Sequence, residues 1–328
     1  MKFAVIGIGA VGSIIGGLLT KSGEYIILIG KKYQVDVIKQ NGITIRGLDE
    51  KIQDIKTDVD LSVLKDVDAV FICVKSQDTE SLVSQLKKYV RKNTLIISLQ
   101  NGVRNAETVS KITGNPTLAG VVLFNAIYSN PGEVELTIEG GILLENDKKF
   151  SKKISDLLNK AGIKTIIVEN IKGYQWSKLI LNLQIAVTAL TGQTIKESIT
   201  NKNSRKIIVA TMKEGLDILN RCNVTRQKLP RTDPQDLIKK LDRYNSLILK
   251  LGSGLMGVKD NAKNSMWQSL ARGKPTEIDF INGEITRLAE KKGFKAPINS
   301  KLVKLIKQAE NSKINNIKTD ELIKILNI

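Results

Sequence analysis

The chain has 328 residues, 41% hydrophobic and 26% charged, enough for one large or two ordinary cores. Its 51 Lys and Arg against 33 Asp and Glu give a formal net charge of +18. The basic residues are dispersed and aromatic residues make up only 4%, so nucleic acid is not expected as a partner and the charge reads as the habit of a lysine-rich chain. There is no histidine and there are two cysteines. A Ser-His triad, a histidine general base, a disulfide framework and an ordinary zinc site are thereby excluded. No uncharged apolar stretch reaches the roughly 18 residues of a membrane helix. Glycines at 7, 9, 12, 16 and 17 break up the apolar N-terminus, so no secretory signal is read and a cytoplasmic location is expected.

In chain order, Lys2-Ile6 is a short apolar run ending in glycines, and Ala10-Thr20 reads as a helix packed through small residues. Tyr25-Ile29, Ala69-Val74 and Leu95-Leu99 are further apolar runs, with Ser81-Val90 helical before the last. Runs of about five residues alternating with helices predict βαβ units and a parallel sheet. From about Asn115 to Leu144 the texture changes to strands and turns, with Asn130-Pro131-Gly132-Glu133 a turn candidate. Beyond Ile171 helical periods dominate: Gly173-Leu190, Lys206-Cys222, Glu277-Lys292 and a short terminal helix around Glu321-Leu326. The expected architecture is α/β, with an N-terminal Rossmann-type doubly wound parallel sheet over 1–170 and an all-α helical substrate domain over 171–328. Cys73, in an apolar run, and Cys222, at a helix end, read as reduced bystanders.

Gly7-Ile8-Gly9-Ala10-Val11-Gly12 follows the first strand and opens the first helix. Gly7 permits the tight turn, Gly9 a close backbone approach to a pyrophosphate, and Gly12 close helix–strand packing. The helix N-terminus, with Ala10 and Val11 in its first turn, supplies unpaired N–H groups for the anion. The loop predicts dinucleotide binding. A site for NAD usually ends its second strand in an acid that holds the ribose 2′-hydroxyl. Here Gly30-Lys31-Lys32 follows Tyr25-Ile29, and lysine attracts a 2′-phosphate that a carboxylate would repel, so NADPH is expected over NADH.

In the second half, Lys178 and Asn182 are spaced i, i+4 in an otherwise apolar helical run, with Ala186 one turn further on. Polar groups in such a helix face water, a partner or a ligand. Reducing a carbonyl by hydride needs an acid for the forming alkoxide. Without histidine, that acid is a lysine, a tyrosine or a carboxylic acid of raised pKa. Thr276 reads as a helix N-cap, which makes Glu277 either a charge complementing the helix dipole or a carboxylate that binds substrate and orients the lysine.

Together these residues resemble the ketopantoate reductase (2-dehydropantoate 2-reductase) family. The resemblance rests on Gly7-x-Gly9-Ala10-x-Gly12, Cys73-Val74-Lys75, Gln100-Asn101-Gly102-Val103, Trp176-x-Lys178-Leu179-x-x-Asn182, Ser265-Met266 and Thr276-Glu277-Ile278-Asp279-Phe280-Ile281-Asn282-Gly283. It implies an NADPH-binding Rossmann domain, a helical domain, an active-site cleft between them, and reduction of ketopantoate to (R)-pantoate on the route to pantothenate and coenzyme A. By position, Lys178 is the general acid and Glu277 its partner. Asn182 and Ser265 hold substrate, Asn101 touches cofactor and substrate, Lys31 meets the 2′-phosphate, and Lys75 lies near the cofactor. The expected partner is a small 2-oxo acid, with no nucleic acid and no membrane, and a homodimer is left open. Members of the family usually carry Asn-Pro four residues after the Asn182 position, where this chain has Ala186-Val187. A paralogous reductase for another 2-oxo acid or an opine-type substrate, and a non-catalytic dinucleotide sensor, stay open as alternatives. Burial beside other lysines is expected to lower the pKa of Lys178.

Overall fold

The run Lys2–Ile6 forms strand β1, and its alternation explains its central place in a sheet. Phe3 and Val5 enter one hydrophobic cluster while Ala4 and Ile6 enter another, so both faces are covered. The computed structural model describes residues 1–244, 263–312 and 316–328. The chain divides into two compact units, Met1–Ile171 and Lys172–Ile328.

In the first unit β1 leads into helix α1 (Ala10–Lys21), strand β2 (Tyr25–Ile29) and helix α2 (Lys32–Asn41). Strands β3 (Ile43–Arg46), β4 (Glu50–Ile52) and β5 (Thr57–Asp58) follow, then β6 (Ala69–Ile72), α3 (Thr79–Leu86), β7 (Leu95–Ser98) and α4 (Asn105–Thr113). The unit ends with β8 (Thr117–Val122), β9 (Asn125–Asn130), β10 (Glu133–Ile138), β11 (Ile142–Glu145), α5 (Ser151–Lys160) and β12 (Thr165–Val168). Eight strands form the main sheet in the order β12-β11-β8-β7-β6-β1-β2-β5. All neighbours in it are parallel except β11, which runs antiparallel to β8. The register Lys2↔Tyr25 through Ile6↔Ile29 brings β1 and β2 to an end together. One face carries α1 and α5; α3 and α4 supply Val83, Leu86 and Val109 to the other. The sheet is therefore doubly wound, as the alternating runs predict.

A second sheet, β4-β3-β10-β9, joins strands far apart in sequence, with β10 parallel to β3. Its Ile43, Ile45, Ile52 and Val134 share the cluster that contains Ile14, Ile15, Leu18 and Leu19 of α1. The helix fits there because it carries glycines: a Cβ at Gly16 would meet the Leu28 side chain at 2.7 Å, and one at Gly17 the tip of Ile52 at 3.0 Å.

The second unit is helical among its described residues: α6 (Ile171–Asn182), α7 (Gln184–Thr191), α8 (Ile195–Thr200), α9 (Lys202–Arg221), α10 (Pro234–Arg243), and the helices Ser265–Ala271, Asn282–Lys291, Pro297–Glu310 and Thr319–Leu326. No described helix is long and apolar enough to cross a membrane. The run expected as one helix over 173–190 is broken at Leu183. The Leu183 carbonyl accepts a hydrogen bond from Asn282 Nδ2 at 3.2 Å, and a side chain inserted in this way interrupts the helical ladder. Asn282 also donates to Asn299 Oδ1 at 2.9 Å, and Asn299 Nδ2 to Glu214 Oε2 at 2.8 Å, so the break is braced from α9 and the Pro297–Glu310 helix. Helix α9 approaches α6 closely at Gly215, where a Cβ would stand 2.6 Å from Leu183 Cδ1 and 2.8 Å from Ile180 Cδ1.

Candidate active site

The main sheet reverses its winding between β1 and β6, since β2 lies on one side of β1 and β6 and β7 on the other. Ligands of open α/β sheets bind at such a switch point, beyond the carboxyl ends of the strands. The loops after β1 and β6 touch there. Gly7 has φ +98° and leaves no room for a side chain, because a Cβ would lie 2.7 Å from the Val74 nitrogen and 2.9 Å from the Cys73 carbonyl carbon. At Gly12 a Cβ would lie 2.0 Å from the Gly7 carbonyl oxygen. Gly9 differs: a Cβ there meets nothing within 4 Å. It is the N-cap of α1, no side chain caps the helix, and no acid stands in the first turn. Gly7 and Gly12 are thus demanded by the protein's own packing, whereas Gly9 keeps open the space before the positive end of a helix. A dinucleotide pyrophosphate fits that geometry, with the N–H groups of Ala10, Val11 and Gly12 as donors.

Buried polar side chains fix the surrounding loops. Gln34 Nε2 donates to the Ile8 carbonyl and to Tyr128 Oη, both at 2.8 Å, and Gln34 Oε1 accepts from the Lys31 N–H at 3.2 Å. Gln34 therefore ties the glycine loop to the turn that carries Lys31. Both Lys31 and Lys32 are exposed, and Lys32 is paired with Asp36 at 2.8 Å. On the other side of the switch point, Gln100 Nε2 donates to the Val74 carbonyl at 3.1 Å and to Thr79 Oγ1 at 2.7 Å. The Asn101 carbonyl accepts from Ser76 Oγ at 2.8 Å and from the Asn105 side chain. These bonds bring the Lys75 turn and the Asn101 loop together. Burial pushes the Cys73 thiol up to about 12, so it is protonated at neutral pH.

In the second unit, Lys178 lies on α6, half-buried as a residue, between Ser177 and Leu179, which are fully buried. Ser177 Oγ donates to the Gln227 carbonyl at 2.5 Å, and the Gln227 N–H donates to the Gly173 carbonyl at 3.1 Å, which fixes this turn of the helix. Burial lowers the Lys178 ammonium to about 8, and the Glu277 carboxylate opposes that shift by holding the proton on. Lysine neighbours were the expected electrostatic influence; the charge that acts is a carboxylate. Asn182 follows one turn along, half-buried, at the last position of α6. Ala186, expected to continue the same face, lies beyond the break in α7 and is completely buried, as is Val187.

Ser265 is exposed at the start of its helix. The N-cap before it, Asn264, accepts from the Trp267 N–H at 2.8 Å and donates to the Ile185 carbonyl at 3.2 Å, tethering that helix to α7. Glu277 precedes a single 3-10 turn, Ile278–Phe280, and the regular helix begins only at Asn282. Thr276 Oγ1 accepts from the Ile278 N–H at 3.2 Å, so Thr276 caps this turn and not a long helix. Sequence reading gives Gln34 no role and Asn282 only a place in a motif; both are buried polar residues in helices. Their one visible signal was an amide at a position that the helix buries.

An open glycine loop at a helix N-terminus in one unit and a desolvated ammonium with a carboxylate neighbour in the other are what a nicotinamide-dependent oxidoreductase would need. The family described as ketopantoate reductase PanE/ApbA matches residues 3–148, and its C-terminal part matches residues 170–310, so the chain belongs to that family. The 2-dehydropantoate 2-reductase of Pyrococcus horikoshii is 32% identical over 95% of this chain and 98% of its own length. A PanE/ApbA family ketopantoate reductase from Ralstonia eutropha matches with a TM-score of 0.83 at 28% identity, covering 96% of this chain and 100% of that one. D-mandelate dehydrogenase, solved with NADH and anilino(oxo)acetate, shares the fold with a TM-score of 0.79 at 24% identity over 95% of this chain and 99% of that one.

Proposed function

We propose that the chain reduces ketopantoate to (R)-pantoate with NADPH, with Lys178 as the general acid. The observation that carries this reading is the setting of Lys178, half-buried on α6 between buried Ser177 and Leu179, where burial lowers its ammonium to about 8 and the Glu277 carboxylate opposes the shift. A lysine in that state is protonated at neutral pH and gives up its proton more readily than a free lysine. When bound, NADPH would supply the hydride that the carbonyl carbon of a 2-oxo acid needs. Lys178 Nζ donates its proton to the carbonyl oxygen, so the C=O double bond becomes C–H and O–H, and the neutral amine is reprotonated from solvent. Glu277 keeps the amine charged until that moment and accepts a hydrogen bond from a substrate hydroxyl. Asn182 and Ser265 bind the substrate's polar groups, and Asn101 contacts both nicotinamide and substrate. Gly7, Gly9, Ala10, Val11 and Gly12 take the pyrophosphate, Lys75 lies along the cofactor, and Lys31 attracts the 2′-phosphate. A cytoplasmic enzyme acting on a small 2-oxo acid follows from this reading.

A second reading is favoured by one feature. Ala186 and Val187, both at 0% exposure, offer no amide to a substrate, which favours a reductase of the same chemistry for a different 2-oxo acid. NADPH oxidation, followed by nicotinamide absorbance with ketopantoate and a panel of other 2-oxo acids, separates the two. Preference for ketopantoate by an order of magnitude or more in kcat/KM supports the first reading, and a better competitor replaces it with the second. Absence of turnover with every 2-oxo acid overturns both.

A further inference from the structure

The segment around Glu277 is held from outside by a residue that the reaction does not use. Glu310 is the last residue of the helix Pro297–Glu310, where the dipole disfavours a negative charge. Its side chain is nonetheless only 12% exposed, and both its oxygens have partners. Glu310 Oε1 accepts from the Thr276 N–H at 2.8 Å and from Thr276 Oγ1 at 2.7 Å. Glu310 Oε2 lies 3.2 Å from Lys307 Nζ, and the same ammonium lies 2.6 Å from Asp279 Oδ2. Thr276 and Asp279 bracket Glu277 on either side. One carboxylate–ammonium pair, a turn apart on one helix, thus grips the chain immediately before and two residues after Glu277. Burial pushes the Glu310 carboxyl up, but the Thr276 bonds and Lys307 outweigh it and hold the group below the usual carboxylate range.

We propose that Glu310, braced by Lys307, is a positioning residue that fixes the 276–279 turn and so keeps Glu277 beside Lys178. The inference rests on the reading of Lys178 and Glu277 given above. Its mechanism is geometric: a charged acceptor replaces the helix continuity that Glu277 lacks, since only a 3-10 turn follows it. A neutral but isosteric amide at 310 retains an acceptor for Thr276 and loses the hold on Lys307. An alanine there loses both.

The test compares the full-length parent with Glu310→Ala, Glu310→Gln, Lys307→Met and Lys178→Ala, measuring kcat, KM for the 2-oxo acid, NADPH affinity and the pH profile of kcat. Glu310→Ala should lower kcat about tenfold with NADPH affinity unchanged, and Glu310→Gln should recover part of the loss. The alkaline limb of kcat should move to lower pH, because a Glu277 displaced from Lys178 no longer helps to hold its proton. A merely structural role would lower the melting temperature and leave kcat per folded molecule and the alkaline limb as in the parent, and that result overturns the inference. Should Glu310→Ala fail to fold, Glu310→Gln and Lys307→Met decide: a displaced limb supports the inference, and parental profiles in both overturn it. Lys178→Ala separates the two levels. If it retains parental kcat, the proposed acid fails and this inference falls with it. If it is inactive while the Glu310 and Lys307 variants match the parent, only this inference fails.

Discussion

The two regions proposed to carry chemistry are made in opposite ways. Around Gly7–Gly12 the groups on offer are backbone N–H donors, and side chains are chiefly excluded: two glycines are required by contacts within the protein, and the third keeps space clear. Around Lys178 the proposed working group is a side chain, and what matters is how much water the fold takes away from it. A backbone site is specified by which residues are missing a Cβ, so it is written locally. A desolvated side chain is specified by everything packed around it, so it is written across the whole unit.

The largest effect should come from the side-chain site. Lys178→Ala is expected to cut kcat on the order of a hundredfold or more and to leave dinucleotide affinity at the parental value, measured by steady-state kinetics and by NADPH titration. Equal losses in both would mean that the two regions are not functionally separate. The glycines come next. Gly9→Val puts its Cβ where nothing lies within 4 Å, so its melting temperature should fall much less than that of Gly12→Ala, while dinucleotide affinity falls by roughly tenfold or more. Gly12→Ala puts a Cβ against the Gly7 carbonyl and should cost about 1–3 kcal/mol of stability before any question of binding arises. Calorimetry with and without NADPH distinguishes the pair, and a Gly9→Val no more stable than Gly12→Ala would reverse their assigned roles.

The Lys178 site also predicts a pH dependence with a definite sign. Burial lowers its pKa from 10.5 to about 8, so kcat should fall as pH rises through about 8, where the acid is lost. The same shift bears on stability. Below about 8 the fold holds an ammonium that an unfolded chain would solvate better, and this penalty fades as pH rises from there toward 10.5. Lys178→Met should therefore be more stable than the parent at neutral pH, by roughly 1–3 kcal/mol, although inactive. Denaturant melts at neutral and alkaline pH test this: the advantage should shrink at the higher pH, and a Met variant less stable than the parent would mean that Lys178 is not desolvated.

This division also explains how much was legible in the sequence. The runs at Lys2-Ile6, Tyr25-Ile29, Ala69-Val74 and Leu95-Leu99 are buried on both faces of one sheet, and uninterrupted hydrophobicity announces that in any short window. The glycine loop and the Lys178–Asn182 spacing are equally local. The second sheet was invisible, because β3 pairs with β10 from a distant part of the chain and no short window contains both. The break at Leu183 was missed for the same reason: the amide that interrupts the helix belongs to Asn282, 99 residues away. Gln34 reads as an ordinary polar residue of α2 until its bonds to Ile8 and Tyr128 are seen.

The smallest expected effect concerns Lys31 and Lys32, neighbours in sequence that read alike and differ in surroundings. Lys32 is engaged by Asp36 one turn on, and its side chain is 82% exposed, so much of its charge is spent on a partner and on water. The Lys31 N–H is anchored by Gln34, which also grips the glycine loop, so its position is fixed relative to that loop. A 2′-phosphate should therefore meet the Lys31 ammonium and be nearly indifferent to Lys32. Lys31→Glu is expected to raise KM for NADPH by about tenfold and to leave KM for NADH almost unchanged, whereas Lys32→Glu should alter neither beyond a small factor. The Lys31 effect should weaken at high salt, because an exposed charge acts through screened solvent. Equal responses from the two lysines would show that the anchor on Gln34 does not select between them, and that cofactor preference reflects the diffuse positive charge of the chain.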